Sequence, residues 1–154
     1  MMAPAPSNSV LRVVGRALIP FILLFALYVQ FHGDYGPGGG FQAGVIFAAG
    51  LIVHTLLFGV ASTARAVPPS LLRAFAALGV LIYAGTGTAS LLLGGNFLDY
   101  DVLAADPVAG QHLGILLVEL GVGLTVAAVM LLIFFTFVER AEPPGQGSEE
   151  EDTP

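Results

Sequence analysis

Polar positions along this chain fall in a few short clusters, and long apolar runs separate them. A helix that crosses about 30 Å of hydrocarbon, rising roughly 1.5 Å per residue, needs about 20 apolar residues. Four runs reach that length: about Leu11 to Phe31, Phe41 to Val60, about Arg73 to Leu93, and about Leu113 to Val138. The first is cleanly apolar from Ala17. Pro20 should kink it mildly, because its ring has no N–H to donate to the carbonyl of Arg16. The second is interrupted only by Gln42, His54 and Thr55. The first run reads as a retained helix and not a cleaved signal peptide, since Phe31-His32-Gly33-Asp34 offers no small-residue cleavage site. The pattern predicts an all-α membrane protein with four transmembrane helices over residues 11–140. A Pro/Ala/Ser leader over 1–10 precedes them, and a disordered acidic tail over 141–154 follows.

Composition sharpens this reading. The 154 residues are 56% hydrophobic and 10% charged, against about 25% charged for a typical soluble domain. Between Ala17 and Val138 the charged residues are Asp34, Arg65, Arg73, Asp99, Asp101, Asp106 and Glu119 alone. A water-facing surface cannot be covered with so few. Disorder is excluded by the hydrophobicity, and nucleic-acid binding by the lack of a basic patch. With no cysteine there is no disulfide framework, thiolate metal site or cysteine nucleophile. Lysine is absent too, which removes phosphate-loop and Schiff-base chemistry.

The arginines give a direction. Arg12 and Arg16 precede the first run, Arg65 and Arg73 lie between the second and third, and Arg140 follows the fourth. The other two loops, His32–Gly40 and Gly94–His112, contain none. Positive charge stays on the cytoplasmic side, so both termini are expected in the cytoplasm of a bacterial-type inner membrane. The opposite face is acidic, with Asp34, Asp99, Asp101 and Asp106, and should concentrate cations locally.

The loop His32-Gly33-Asp34-Tyr35-Gly36-Pro37-Gly38-Gly39-Gly40 runs directly into Phe41-Gln42-Ala43-Gly44. A turn between helices needs one or two glycines; this one is far richer. Two readings stand: an ordinary turn, or a packed or ion-lining backbone element at a helix N-terminus, where free N–H groups and the helix dipole favour an anion.

Glu119 is the one carboxylate inside a run, and an intramembrane charge is a functional candidate by default. Gly123 and Ala127 follow at i+4 and i+8, and His112 precedes at i−7. That small-residue stripe suits close helix packing, so Glu119 should face protein. A carboxyl removed from water can hold a proton and exchange it for a cation. Alternatively, it only locks helices together. His54 is the second ionisable group within a run, suited either to proton relay or to an interhelical hydrogen bond beside Thr55. His32, His112 and the acidic loops match no metal-ligand spacing, so no metal or other cofactor is expected. Small residues at i+4 steps (Gly40, Gly44 and Ala48; Gly85 and Ala89; Gly123 and Ala127) outnumber the seams four helices need, which points to partner subunits.

The segment Gly36-Pro37-Gly38-Gly39-Gly40-Phe41-Gln42-Ala43-Gly44-Val45-Ile46 resembles the MnhB/MrpB family, small components of the Mrp/Mnh-type multisubunit Na⁺/H⁺ antiporters. That family's marker is Pro-Gly-Gly-Gly-Phe before a small-residue helix start, after a short His/Gly stretch, here His32-Gly33-Asp34. The likeness covers about residues 11–140. Relatives often carry Arg before the His-Gly; Val29-Gln30-Phe31 stands there instead. The resemblance implies a non-catalytic membrane component of a cation/proton antiporter, related to the membrane arms of respiratory complexes and hydrogenases. It implies partners in the larger proton-channel subunits, with Na⁺ and H⁺ as cargo and this chain contributing to the sodium route. Of the residues, Pro37, Gly38, Gly39, Gly40, Phe41, Gln42 and Gly44 carry over as a structural loop. Glu119, His54, His112, His32 and Asp34 are candidates for an ion or proton path on physical grounds alone. The rival readings are a purely structural subunit, or the equivalent subunit of a hydrogenase or respiratory membrane arm.

Overall fold

The computed structural model of the protein describes residues 9–33 and 35–141. Helix α1 is Ser9–His32, α2 Gly40–Phe58, α3 Val60–Ala66, α4 Pro69–Leu92 and α5 Pro107–Ala141, with a 3₁₀ turn at Tyr100–Leu103 before α5. Among the described residues there is no strand, and α1, α2, α4 and α5 are each long and apolar enough to span a membrane. Of the expected leader over 1–10 and tail over 141–154, residues 1–8 and 142–154 lie outside the described residues, as does the candidate Asp34, while residues 9, 10 and 141 belong to helices α1 and α5.

The boundaries differ from the sequence expectation where local backbone chemistry intervenes. The second span stops at Phe58, because Gly59 takes φ 89°, a conformation that leaves the helix. The chain then makes the short helix α3, which hydropathy alone did not reveal. Helix α4 starts at Pro69, four residues before Arg73, with proline in the first turn, where no backbone donor is lost. Helix α5 starts at Pro107, six residues before Leu113. There the Asp106 side chain accepts from the N–H of Ala109 at 3.2 Å and caps the helix. Pro20 lies within α1, which continues on either side of it.

The four long helices pack in a row, α1 on α2, α2 on α5 and α5 on α4. Helix α1 touches α5 over only a few residues and has at most marginal contact with α4. The bundle is thus an open arc. Its compact core is Ala48, Leu72, Ala128, Leu131 and Phe135, with Leu51, Phe75 and Phe134 packed around it. Phe21, Leu24, Leu92 and Phe137 are exposed on the outer faces, a distribution suited to lipid, which is as apolar as they are.

Close approach is bought with glycine at the α4–α5 seam. A methyl at Gly79 would stand 2.9 Å from the Thr125 nitrogen and closer still to the Gly121 carbonyl. The Thr125 hydroxyl donates to the Gly121 carbonyl at 2.9 Å and reaches the Ala76 carbonyl of α4 at 3.3 Å. All five arginines lie at one end of the row, at the start of α1, in α3, at the start of α4 and at the end of α5. The glycine loop and the 3₁₀ turn lie at the other.

Candidate functional site

The glycine loop is a packed knot. Its chain leaves α1 with the Tyr35 and Gly36 N–H groups donating to the His32 carbonyl at 3.0 and 3.1 Å. It returns with the Gly39 N–H donating to the Val29 carbonyl at 3.2 Å. The two arms of the loop therefore lie against each other. A methyl at Gly33 would stand 2.7 Å from the Gly39 Cα, and one at Gly38 would stand 2.8 Å from the Val29 carbonyl. Gly39 also has φ 120°, a region that side chains rarely adopt. Of the two readings of the glycine-rich run, the geometry is that of a packed element.

Glu119 lies beneath this knot. A methyl at Gly33 would be 2.5 Å from each of its carboxylate oxygens, and one at Gly39 would be 2.9 Å from Oε1. Its backbone sits against the first residue of α2, since a methyl at Gly40 would overlap the Glu119 carbonyl. The side chain is half-buried and faces α1 and α2, as the small-residue stripe on α5 suggests. One turn further along α5, Gly123 faces the Gln30 side chain and the Gly40 carbonyl, and Gly44 faces the Gly123 carbonyl. Three separate sequence features, the loop, the carboxylate and the i+4 glycines, thus form one assembly. Its chemistry is that of an acidic group at the N-terminus of a helix, where the dipole favours negative charge, set against the backbone of Gly33 and Gly39.

The other candidates are spread more widely. His112 is exposed on α5, two turns outward from Glu119, and its ring stacks on Tyr35 of the loop with centroids 6.3 Å apart. His32 stacks on Tyr28 at 5.1 Å, and its Nε2 would lie 3.2 Å from a methyl at Gly36. Pro37, Phe41 and Gln42 are exposed, whereas Gly39, Gly40 and Gly44 are buried. No three His, Asp or Glu side chains converge among the described residues.

His54 is not part of this assembly. It is 14 residues beyond Gly40 on α2, roughly 21 Å away along the axis. Its Nδ1 is 2.8 Å from the Thr63 hydroxyl of α3, and Thr63 also lies 3.0 Å from the Thr55 hydroxyl. The His54 ring is 4.9 Å from that of Phe58, over which the Arg16 guanidinium sits at 5.4 Å. This group of side chains ties α1, α2 and α3 together at the arginine end. The structure therefore keeps His54 and Glu119 apart.

Two residues with a role in these clusters stood out weakly in the sequence. Thr63 reads as one more small polar residue between spans, and only the turn at Gly59 brings it back under His54. Gln30 is the lone amide in the apolar stretch of α1, and that isolation is the signal.

Comparison with known proteins agrees with the architecture. The family described as a domain related to the MnhB subunit of Na⁺/H⁺ antiporter matches residues 10–132, from the start of α1 into the last third of α5. A protein of Staphylococcus aureus strain Newman, named "Putative antiporter subunit mnhB2", is 32% identical over 133 residues, which cover 84% of this chain and 94% of the relative. Proteins of the same name from strains JH1 and COL match to the same extent. With its four membrane-length helices and a match over most of its length, the chain is a multi-pass membrane protein that belongs to the family of domains related to the MnhB subunit of Na⁺/H⁺ antiporter.

Proposed function

We propose that this protein is a small subunit of a multisubunit Na⁺/H⁺ antiporter in a bacterial cytoplasmic membrane, and that Glu119 beneath the glycine loop is a proton- or Na⁺-exchanging group on its ion path. The observation that carries this is the contact of the Glu119 carboxylate with Gly33 and Gly39. A purely structural glutamate would need one hydrogen-bonding neighbour. Here the backbone on two sides has been cleared of side chains so that the carboxylate can approach it.

The chemistry follows from the charge balance. A carboxylate held away from bulk water is costly, and either a proton or a bound cation removes that cost. The two occupants exclude one another, which is the elementary condition for exchange. The glycine backbone beside it offers carbonyl oxygens to a partly dehydrated Na⁺ without side-chain obstruction. His32 and His112 flank the loop from α1 and α5 and form the rim through which ions arrive, with Asp34 and the acidic loop residues raising the local cation concentration. The arginine end is cytoplasmic by the positive-inside rule, so this rim faces outward. His54 holds α3 against α2 and is not the next station. The protein is a transporter component, with the larger proton-conducting machinery in partner subunits.

The test uses the complete antiporter in everted vesicles. Glu119→Gln keeps size and hydrogen bonding but cannot ionise. Na⁺-driven proton movement should fall at least tenfold while every subunit still co-purifies, and Glu119→Asp should retain a measurable fraction. Normal transport by Glu119→Gln with an intact complex would leave the residue a structural role only. If Glu119→Gln does not assemble, Gly33→Ala, which displaces the carboxylate without removing it, takes its place with the same expectation.

A further inference from the structure

Helix α1 is held unevenly along its length. From Ile19 onward it buries Ile19, Ala26, Val29 and Gln30, whereas no residue of the helix before Ile19 is buried. Val10, Leu11, Val13, Val14 and Leu18 are all exposed. Pro20 lies at the boundary. It has no N–H for the Arg16 carbonyl, so the helix lacks there one of the bonds that resist bending. Two neighbouring contacts seat the first part of α1 on α2. Leu57 lies against Gly15, where an added methyl would overlap its Cδ1. The Arg16 guanidinium sits 5.4 Å from the centre of the Phe58 ring. The His54 ring packs on the same phenyl ring, 4.9 Å away and tilted by 46°.

The protons around His54 can be counted. The Thr55 hydroxyl is 2.8 Å from the Leu51 carbonyl, which can only accept. Two oxygens at that distance need a hydrogen between them, so the one hydroxyl proton of Thr55 is spent there. Thr55 Oγ1 then accepts from Thr63, 3.0 Å away. That uses the Thr63 proton, so His54 Nδ1, at 2.8 Å, is the donor. The neutral ring is thus the Nδ1–H tautomer, with its open lone pair on Nε2. A proton arriving at Nε2 leaves the bond to Thr63 in place. The clasp on α3 is the same in both states, and what protonation changes is charge.

The helices that meet at this point carry only basic residues. Helix α1 brings Arg12 and Arg16, and α2 brings nothing besides His54. Helix α3 brings Arg65, whose Nε donates to its own Ala61 carbonyl at 3.2 Å. Arg73 is near the start of α4, and Glu139 and Arg140 are exposed at the end of α5. An imidazolium would share the Phe58 ring with the Arg16 guanidinium, and no carboxylate of α1, α2 or α3 offsets the second cation. Charged His54 and docked Arg16 therefore oppose one another. His54 is tied to Thr63, whereas Arg16 is exposed and can leave for water.

We infer that residues 9–19 of α1 form an acid-released flap. With His54 neutral, Arg16 lies on Phe58 and holds the segment against α2. A proton on His54 Nε2 displaces Arg16, and the segment swings outward about Pro20 while the glycine-loop end of α1 stays in place. The ligand is a proton taken up at the arginine end. Nothing in this depends on Glu119 conducting ions.

The chain contains no cysteine, so spin labels are placed at Val13→Cys on α1 and Phe137→Cys on α5, both exposed positions. Pulsed dipolar spectroscopy then reads their separation in the full chain in lipid nanodiscs, at about pH 8 and about pH 5, the interval over which histidine changes charge. The labelled chain should show one docked distance at the higher pH and a second, longer one at the lower. The docked population should fall about two- to fivefold, the scale of one exposed cation–π contact. His54→Gln, whose amide still donates to Thr63 but takes no charge, should stay docked throughout. Arg16→Gln should show the longer distance already at the higher pH. Ring nitrogen resonances of nitrogen-15 histidine, assigned by their loss in His54→Gln, should place the hydrogen of neutral His54 on Nδ1. Unchanged distances on acidification, an acid response that persists in His54→Gln, a docked Arg16→Gln or a hydrogen on Nε2 would each overturn the inference.

Discussion

Replacing Gly40 by alanine asks whether α2 and α5 meet at the register described. A methyl there would overlap the Glu119 carbonyl oxygen and stand 2.7 Å from its carbon and 2.9 Å from its Cα. Ordinary carbon contacts lie at about 3.5–4.0 Å, so α5 would have to retreat by on the order of 1 Å. The obstacle is backbone and has no rotamer to change. Overpacking of this kind costs about 1–3 kcal/mol, and the rigid neighbour puts Gly40 toward the upper part of that range. The gain in helix propensity is small, because Gly40 is the first residue of α2. The net expectation is a loss of about 2 kcal/mol, roughly a 30-fold fall in the folded-to-unfolded ratio. Gly85→Ala supplies the comparison. It lies inside α4 with nothing within 4 Å of the added methyl, so it should stabilise by up to about 1 kcal/mol. Thermal unfolding of both variants in the same detergent reads the difference, and Na⁺-driven proton movement should fall in Gly40→Ala as Glu119 shifts off the loop. If the two variants melt alike, the helices do not cross at Gly40 and the site as described is wrong.

Thr63→Val removes the hydroxyl shared by His54 and Thr55 at the arginine end. It should cost about 1–2 kcal/mol in thermal stability while leaving transport per assembled complex near normal; a transport defect at unchanged stability would restore His54 to the ion path. Asp106→Ala removes the cap of α5 and should cost about 1 kcal/mol, seen as earlier exchange of the Ala109 and Gly110 amides, with Asp106→Asn largely preserving protection. Tyr100, outside the spans, has its phenol pushed above the ordinary 10.0 by burial and, secondarily, by Tyr83. The folded state thus holds that proton more tightly, so this contribution to stability is complete below pH 10 and is lost as pH rises from there toward the folded value. The tyrosinate absorbance of the native protein minus that of Tyr100→Phe should show a midpoint above 10, and a midpoint at or below it would contradict the burial of this phenol.

The spans were legible because hydrocarbon imposes a length on any helix that crosses it, and four runs of the chain meet that length. Their ends were less so. The start of α5 at Pro107 depends on one cap by Asp106, which also read plausibly as a marker of an acidic face. The break after Phe58 depends on the φ of a single glycine in a stretch whose hydropathy does not change. Glu119 and the glycine loop each stood out, one as a lone charge and the other as an excess of glycine. Their meeting was not legible, because some eighty residues separate them and helical periodicity gives a face and not the neighbour across it. Gln30 was quieter still: a lone amide in the apolar stretch of α1 marks itself by isolation, but only the packing places it against Gly123.

By itself the sequence determined the membrane class, the number of spans, the gathering of all five arginines at one end, and which few polar residues need an explanation. These follow from composition and period, since each residue's transfer into lipid is a local property. The tertiary structure alone decided that the glycine loop closes over Glu119, that His54 belongs to a separate cluster, and that α1 and α4 stand apart and leave a crevice. Those are contacts between distant segments, set by which backbones can approach each other closely, and in lipid, where apolar burial gives no preference among helices, close packing at glycine is what chooses them.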